Sequence, residues 1–411
     1  MASTAREHHP GRASNTNPNQ IILNTMRNHT SRLLLLAAAC SCLADAPARA
    51  GSPGSKNPEP AVATSSDEKS IYEKIWSYGN LYHNDETFIQ DISLSGRAQY
   101  EYYNVDADQG SNDDWQWRRL RAGFKIKFAN KWLLHAEANF DGNNPDPFYT
   151  KLTDALLQYT DSEALVFTVG KQSVKFGLDG GTSSKELITV DRSNLANNLW
   201  FTEEYAPGVS IAGKKGPWMY NIGWFTSDGN PEFGDFAAGS FLLASVGYDF
   251  AQQFNADKAL LRLDYVHQEP DAGNFATRPF ENIGSVNFNL EQGRFGLGTD
   301  VKAGQGYGKQ GDIFGVQFMP SYYIADGIQF VMRYTYMTGD DNSIRLARYE
   351  NTVVPGKGDQ FNEFYAGVNW YLYGHKLKFQ TGVQYAMMDD SKHDGGEYDG
   401  WQVISGIRVS W

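Results

Sequence analysis

From Ile92 to Tyr102 apolar and polar positions alternate. Ile92, Leu94, Gly96, Ala98, Tyr100 and Tyr102 fall on one face, and Ser93, Ser95, Arg97, Gln99 and Glu101 on the other. A period of two marks a strand with one apolar and one polar face. The pattern returns in Leu120, Ala122, Phe124, Ile126 and Phe128, in Leu377 to Tyr385, and in Trp401 to Trp411. Sixteen strands are predicted, with cores at 91–103, 115–128, 131–140, 152–159, 164–170, 208–213, 218–225, 241–250, 258–266, 285–290, 294–303, 313–324, 328–337, 362–372, 376–387 and 401–411. Their connections alternate as well. Short turns at 129–130, 160–163, 214–217, 251–257, 291–293, 325–327 and 373–375 interleave with long loops at 104–114, 141–151, 171–207, 226–240, 267–284, 304–312, 338–361 and 388–400.

Alternation alone also fits a soluble sandwich, whose strands bury one face and wet the other. Three features favour a transmembrane barrel. Strands near ten residues suit a tilted span. Aromatic residues gather at strand ends, as at Trp115, Trp117, Trp132, Trp218, Tyr220, Tyr322, Tyr323, Trp370 and Tyr371, where interfacial girdles would lie. The last strand ends on Trp411, a terminal aromatic of the outer-membrane assembly type. The expected fold is therefore all-β: a 16-stranded antiparallel transmembrane β-barrel with short periplasmic turns and long outer loops, residues 88–411. The 37-residue third loop is expected to fold inward and narrow the channel.

Residues 1–50 read as a signal peptide with an upstream extension. Arg27 and Arg32 precede the apolar run Leu33–Leu43, and Ala48-Arg49-Ala50 supplies a small-x-small cleavage site. Met26 is an alternative start, and Cys40 after three alanines an alternative lipoprotein site. Residues 51–87 read as a periplasmic linker, Pro/Ser/Gly-rich at first, with either a short helix around Ile71 and Ile75 or an extended lead into the first strand. The leader takes both cysteines with it, so disulfides and thiolate chemistry leave the mature chain. It also removes five Arg and two acids. The formal charge of −12 becomes 31 basic against 46 acidic residues, or −15. Such a balance argues against nucleic-acid binding.

The charge is not spread evenly. Lumen-parity positions carry Arg97, Arg119, Arg121, Lys125, Lys127, Lys171, Arg262, Lys302, Arg333, Lys376, Lys378 and Arg408, while acids gather in outer loops such as 104–114, 338–361 and 388–400. Basic side chains lining a pore favour anion passage. The competing reading is that they pair with lumen acids such as Glu101, Glu137, Asp264 and Asp300. The third loop adds Lys171, Lys175, Lys185 and Arg192 beside hydrogen-bonding side chains including Thr182, Ser183, Ser184, Thr189, Asn194 and Asn198. Those donors suit a constriction aimed at an anion.

The stretches RRLRAGFKIKF (118–128), GKQSVKFGLDGGTSSKELITVDRSNLANN (170–198) and EEYAPGVSIAG (203–213) resemble the phosphate-selective porin family (O and P type) of bacterial outer membranes. The similarity runs from about residue 88 to the C-terminus and is clearest in 115–225. The resemblance implies a homotrimer passing phosphate, pyrophosphate or other small anions, with a basic third-loop constriction. Lys171, Lys175 and Arg192 stand where its basic residues would be expected. The expected setting is the outer membrane of a Gram-negative-type bacterium, in contact with lipid and lipopolysaccharide.

Other signals are weaker. Gly306-x-Gly308-x-x-Gly311 lies between two strands with no helix to follow, so a loop is expected rather than a dinucleotide fingerprint. The histidines are scattered and show no zinc spacing. Asp106-x-Asp108-x-Gly110 hints at calcium, but Trp117 stands at position twelve where a Glu is needed. No cofactor is expected, and no catalytic constellation stands out. Phe176, Trp200 and Phe201 supply a rival reading, a sugar-permeable or general porin.

Overall fold

Alternating strands close on themselves because a closed sheet leaves no unpaired edge in lipid. The computed structural model describes residues 69–411 except 235–238 and 276–277; the expected signal peptide and the first part of the linker, 51–68, lie outside the described residues. Sixteen strands form the barrel: β1 (Ile89–Ala107), β2 (Gly110–Phe128), β3 (Trp132–Phe140), β4 (Tyr149–Ser162), β5 (Leu165–Ser173), β6 (Tyr205–Lys215), β7 (Trp218–Thr226), β8 (Ser240–Asp249), β9 (Lys258–Gln268), β10 (Phe280–Gln292), β11 (Phe295–Gly306), β12 (Ile313–Ala325), β13 (Ile328–Gly339), β14 (Gln360–Tyr373), β15 (Leu377–Asp389) and β16 (Tyr398–Ser410). Each pairs antiparallel with its neighbours. The ring closes where β16 meets β1, from Gly400↔Ala107 to Ser410↔Arg97. Every sequence-predicted strand core has its counterpart among these strands.

Local chemistry explains the tight ends. The three-residue β2–β3 turn, 129–131, places Ala129 (φ 48°) and Asn130 (φ 63°) in the left-handed region between the paired Phe128 and Trp132. Phe88, Phe128, Trp132 and Tyr159 follow one another along the periplasmic rim at ring separations of 5.9, 6.3 and 4.9 Å. Tyr100, Tyr102, Trp115 and Trp117 cluster towards the outer ends of β1 and β2. These rows fit the interfacial belts of a membrane barrel. Two expected girdle residues turn the other way: Tyr371 is buried on the lumen side of β14, its hydroxyl 2.7 Å from Gln329, and the Tyr323 ring lies 6.1 Å from it, while Tyr322 and Trp370 face outward.

One segment departs from expectation. The stretch 104–114 is strand rather than loop, because β1 and β2 continue to a turn at Asp108-Gln109. Their ends are covered from inside. The outer loop 340–359 folds into the mouth, and its Tyr349 ring stacks on Tyr103 at 3.9 Å. Val105 is fully buried there with Ile344, Leu346 and Val354. Before the barrel, a helix spans Ile71–Ser77, capped reciprocally by Ser70 and Glu73. Its Trp76 donates to the Ser410 carbonyl at 2.7 Å, which ties it to the closing seam.

Candidate pore constriction

Loop 3 (174–204) enters the lumen through a glycine. Gly177 has φ +67°, and a Cβ there would lie 2.5 Å from the Lys302 side chain and 2.9 Å from Asp300. Only glycine meets both demands without strain. The strands hold this turn by its backbone. Asp264 accepts the Gly177 N–H at 3.0 Å, Asp300 accepts that of Leu178 at 2.8 Å, and Arg262 donates to the Gly177 carbonyl at 2.7 Å.

From there the loop packs on β8–β13 by apolar contact. Phe176, Leu195 and Leu199 are fully buried in one cluster with Phe241, Leu243, Val266, Phe280, Ile283, Ile313 and Met337. Each such side chain contributes about 1.5–3 kcal/mol on burial. An exposed ion pair contributes about 0–1 kcal/mol. Apolar packing therefore dominates the anchoring at this wall. Phe176, Trp200 and Phe201, the aromatic residues of the sugar reading, are buried in that cluster rather than presented to the channel.

Further along, basic strand residues grip the loop's carbonyls. Lys378 donates to Leu187 O, Arg333 to Asp191 O at 2.9 Å, and Arg408 to Val190 O at 3.3 Å. Carboxylates partner many of the same groups. Arg97 meets Glu137 at 3.2 Å, Arg262 meets Asp264 at 3.0 Å, Lys302 meets Asp300 at 3.5 Å and Arg333 meets Glu363 at 2.7 Å. Arg408 pairs with Glu101, which also accepts the Tyr349 hydroxyl. Pairing with lumen acids, the competing reading of the basic face, accounts for these residues.

The remaining expected residues fall in several places. Lys125 and Lys127 lie towards the periplasmic end of β2, half-buried and exposed respectively. Lys175 is exposed on the descending limb of loop 3, and Lys376 is exposed at the β14–β15 turn. Lys185 reaches the carbonyl of Trp411. Arg192 binds the loop's own Asp179 and Thr182 carbonyls at 2.9 and 3.1 Å, and stacks over Trp200 at 4.5 Å.

Lys171 lies elsewhere. It pairs with Ala155 in the row of Leu165, Phe167 and Val169, which faces outward. Residues 230–232 of the β7–β8 connection lie over it, and its ammonium donates to the carbonyls of Asn230, Pro231 and Glu232 at 3.1, 2.8 and 2.6 Å. Assigning it to loop 3 hid its strand parity, since β5 runs on to Ser173.

On β1–β2 the arginines converge. A β-bulge sets Gln99 opposite Arg119 and Tyr100 opposite Trp117, leaving Arg118 outside the ladder. Strict alternation puts Arg118 on the lipid side. The bulge instead turns it inward, to Asp191 at 3.1 Å and Glu101 at 4.0 Å. Arg348 of the outer loop, another residue not anticipated, reaches Asp191 at 3.9 Å. Arg121 and Arg192 share Glu204, at 3.6 and 3.3 Å. Arg119 stands among Arg118, Arg121 and Arg192, and its Nη1 donates to the Gln99 amide oxygen at 2.8 Å. Among the described residues no carboxylate lies within ion-pair distance of Arg119.

Burial alone would raise the Asp191 carboxyl; Arg118, Arg348, Arg119 and Arg408 outweigh it and hold it below the usual carboxylate range. Glu204 is likewise held low, burial being overcome by Arg192, Arg121, Arg119 and Arg97. Both stay ionised in neutral water, so the cluster combines fixed guanidinium groups with two anions carried on the loop.

Residues 92–290 match the family described as phosphate-selective porin O and P. No curated protein matches the chain significantly. Among solved structures the fold is similar to the outer membrane channel DcaP of Acinetobacter baumannii, with 12% identity, 80% of this chain and 99% of that chain covered, and a TM-score of 0.54. It is similar also to OmpF of Salmonella typhi, with 12% identity, 78% and 98% coverage and a TM-score of 0.57. OprB of Pseudomonas putida follows with 9% identity, 78% and 94% coverage and a TM-score of 0.53.

Proposed function

We propose that this chain, an outer-membrane porin of a Gram-negative-type bacterium, is a passive diffusion channel that prefers small anions, phosphate and pyrophosphate among them. The observation that carries this reading is Arg119, a buried guanidinium flanked by Arg118, Arg121 and Arg192 and held by an amide rather than a carboxylate. A guanidinium offers a planar fork of donors that matches carboxylate and phosphate oxygens. Low-dielectric walls strengthen its field. Lys125 and Lys127 continue the basic lining towards the periplasm. The assembly in this reading is a homotrimer set in lipid and lipopolysaccharide, and no step of chemical catalysis is involved.

The experiment is a reversal-potential measurement on the purified protein in a planar bilayer under a potassium chloride gradient. Anion preference is expected, and cation preference overturns the reading. A general porin of weak selectivity is the alternative, favoured by the ion pairs that neutralise Arg97, Arg262, Lys302, Arg333 and Arg408. Equal permeability to both ions, with liposome swelling in neutral sugars, would support it.

A further inference from the structure

The acids beside the arginine cluster are of two kinds. Glu101 and Glu137 stand on barrel strands, with their positions set by the sheet. Asp191 and Glu204 stand on loop 3, yet they reach across to arginines of β2 and of the outer loop. Asp191 places one carboxylate oxygen 3.1 Å from Arg118 Nε and the other 3.9 Å from Arg348 Nε. Glu204 divides its two oxygens in the same way, Oε1 to Arg192 and Oε2 to Arg121. Each carboxylate thus bridges two guanidinium groups, the arrangement a free oxyanion would adopt between the same arginines. Arg119 feels both neighbourhoods, since Arg118, Arg192 and Glu204 all act on it.

We propose that Asp191 and Glu204 are tethered counter-anions that occupy the arginine cluster in place of the permeant and set how tightly it holds a passing oxyanion. This rests on the anion preference proposed above. A carboxylate fixed on the loop competes at an effective concentration in the millimolar range or higher, so a solute must displace it to gain two guanidinium partners. Arg119 is the point of entry, because it offers donors without a carboxylate to displace. Fast passage requires binding strong enough to enter and weak enough to leave. The loop carboxylates supply the weakening. The favoured ligand is a small oxyanion with two acceptor oxygens, as in phosphate or a carboxylate. Chloride, a single-atom ligand, cannot bridge two guanidinium forks in the same way.

The test uses the full-length protein in planar bilayers, with chloride current titrated by inorganic phosphate. In Asp191→Asn and in Glu204→Gln the half-blocking phosphate concentration should fall about tenfold relative to the wild type. Native folding of each variant is checked by heat-modifiable gel mobility, and Asp191→Glu should restore wild-type block. Glu291→Gln, which removes the same charge at the exposed β10 end, should leave the block unchanged. An unchanged or higher half-blocking concentration in both natively folded loop variants overturns the proposal. So does an equal fall in Glu291→Gln, which would trace the effect to net charge. If the wild type itself prefers cations, the functional reading fails first. An anion-preferring wild type with unchanged loop variants overturns this inference alone.

Discussion

The two sides of the lumen hold loop 3 by different physics. On β8–β13 the contact is mainly apolar, with Leu195 and Leu199 buried among Leu243, Phe280, Ile313 and Met337. On β1–β2 it is ionic, with Arg118 and Arg121 meeting Asp191 and Glu204. An apolar contact is non-directional and hard to exchange with a solute. An ionic one offers the same donors to any oxyanion that arrives. One side therefore fixes where the loop is, and the other decides what passes it. Reversing charge on the ionic side should have the largest effect. Arg119→Glu combined with Arg121→Glu is expected to cut the anion-to-cation permeability ratio about tenfold or more. Reversal potentials measure this directly, and an unchanged ratio would show that the cluster lies off the conducting path.

The apolar side predicts a different signature. Leu199→Ala removes a fully buried side chain at a cost of about 2–5 kcal/mol. The loop should loosen, so that single-channel conductance rises and becomes noisier, while the permeability ratio shifts much less than in the arginine variants. If selectivity collapses as far as in the charge reversal, the division of labour between the sides is wrong.

How much of this was readable in the chain follows from the same contrast. Period-two alternation exposes lipid-facing rows directly, so the strands could be anticipated from residues such as Leu94, Phe124 and Phe379, and the inward third loop from its length. Charge on a lumen row could also be read, but not its partner. Arg333 and Glu363 lie 30 positions apart in sequence, and only the register of β13 with β14 brings them together. Arg118 was hidden because a bulge breaks the parity on which the reading depends. Lys171 was misplaced because β5 is longer than its apolar core. The inward fold of loop 340–359 had a visible trace in Ile344, Leu346, Tyr349 and Val354, apolar residues unusual in a loop facing water.

That outer loop adds a pH-dependent element to the ionic side. Glu350 is buried beside Gln384, which donates to it. Burial pushes its carboxyl up to about 8, and the neighbouring Glu363 and Asp191 add to the rise. The docked loop holds the proton at pH values where a free loop has lost it. Docking is therefore strongest below the ordinary glutamate range, weakens progressively as pH rises above it, and loses the proton's contribution once pH passes about 8. Current noise or protease access to 340–359 should increase between pH 6 and 9 on the order of a few-fold. Glu350→Gln should flatten that dependence; a profile identical to wild type would assign the loosening to another group.

The smallest effect is expected at Lys171. Its ammonium satisfies the carbonyls of Asn230, Pro231 and Glu232 on the outer surface of the barrel, away from the channel. Lys171→Met keeps the length of the side chain and removes the charge. The freed carbonyls should cost about 1–3 kcal/mol locally, which would loosen the loop and raise its susceptibility to proteolysis. Reversal potential should stay at the wild-type value, because the charge removed does not face the lumen. A loss of anion preference in this variant would contradict the register of β5 against β4, where Lys171 lies opposite Ala155. It would also return this lysine to the channel, where its assignment to the third loop placed it.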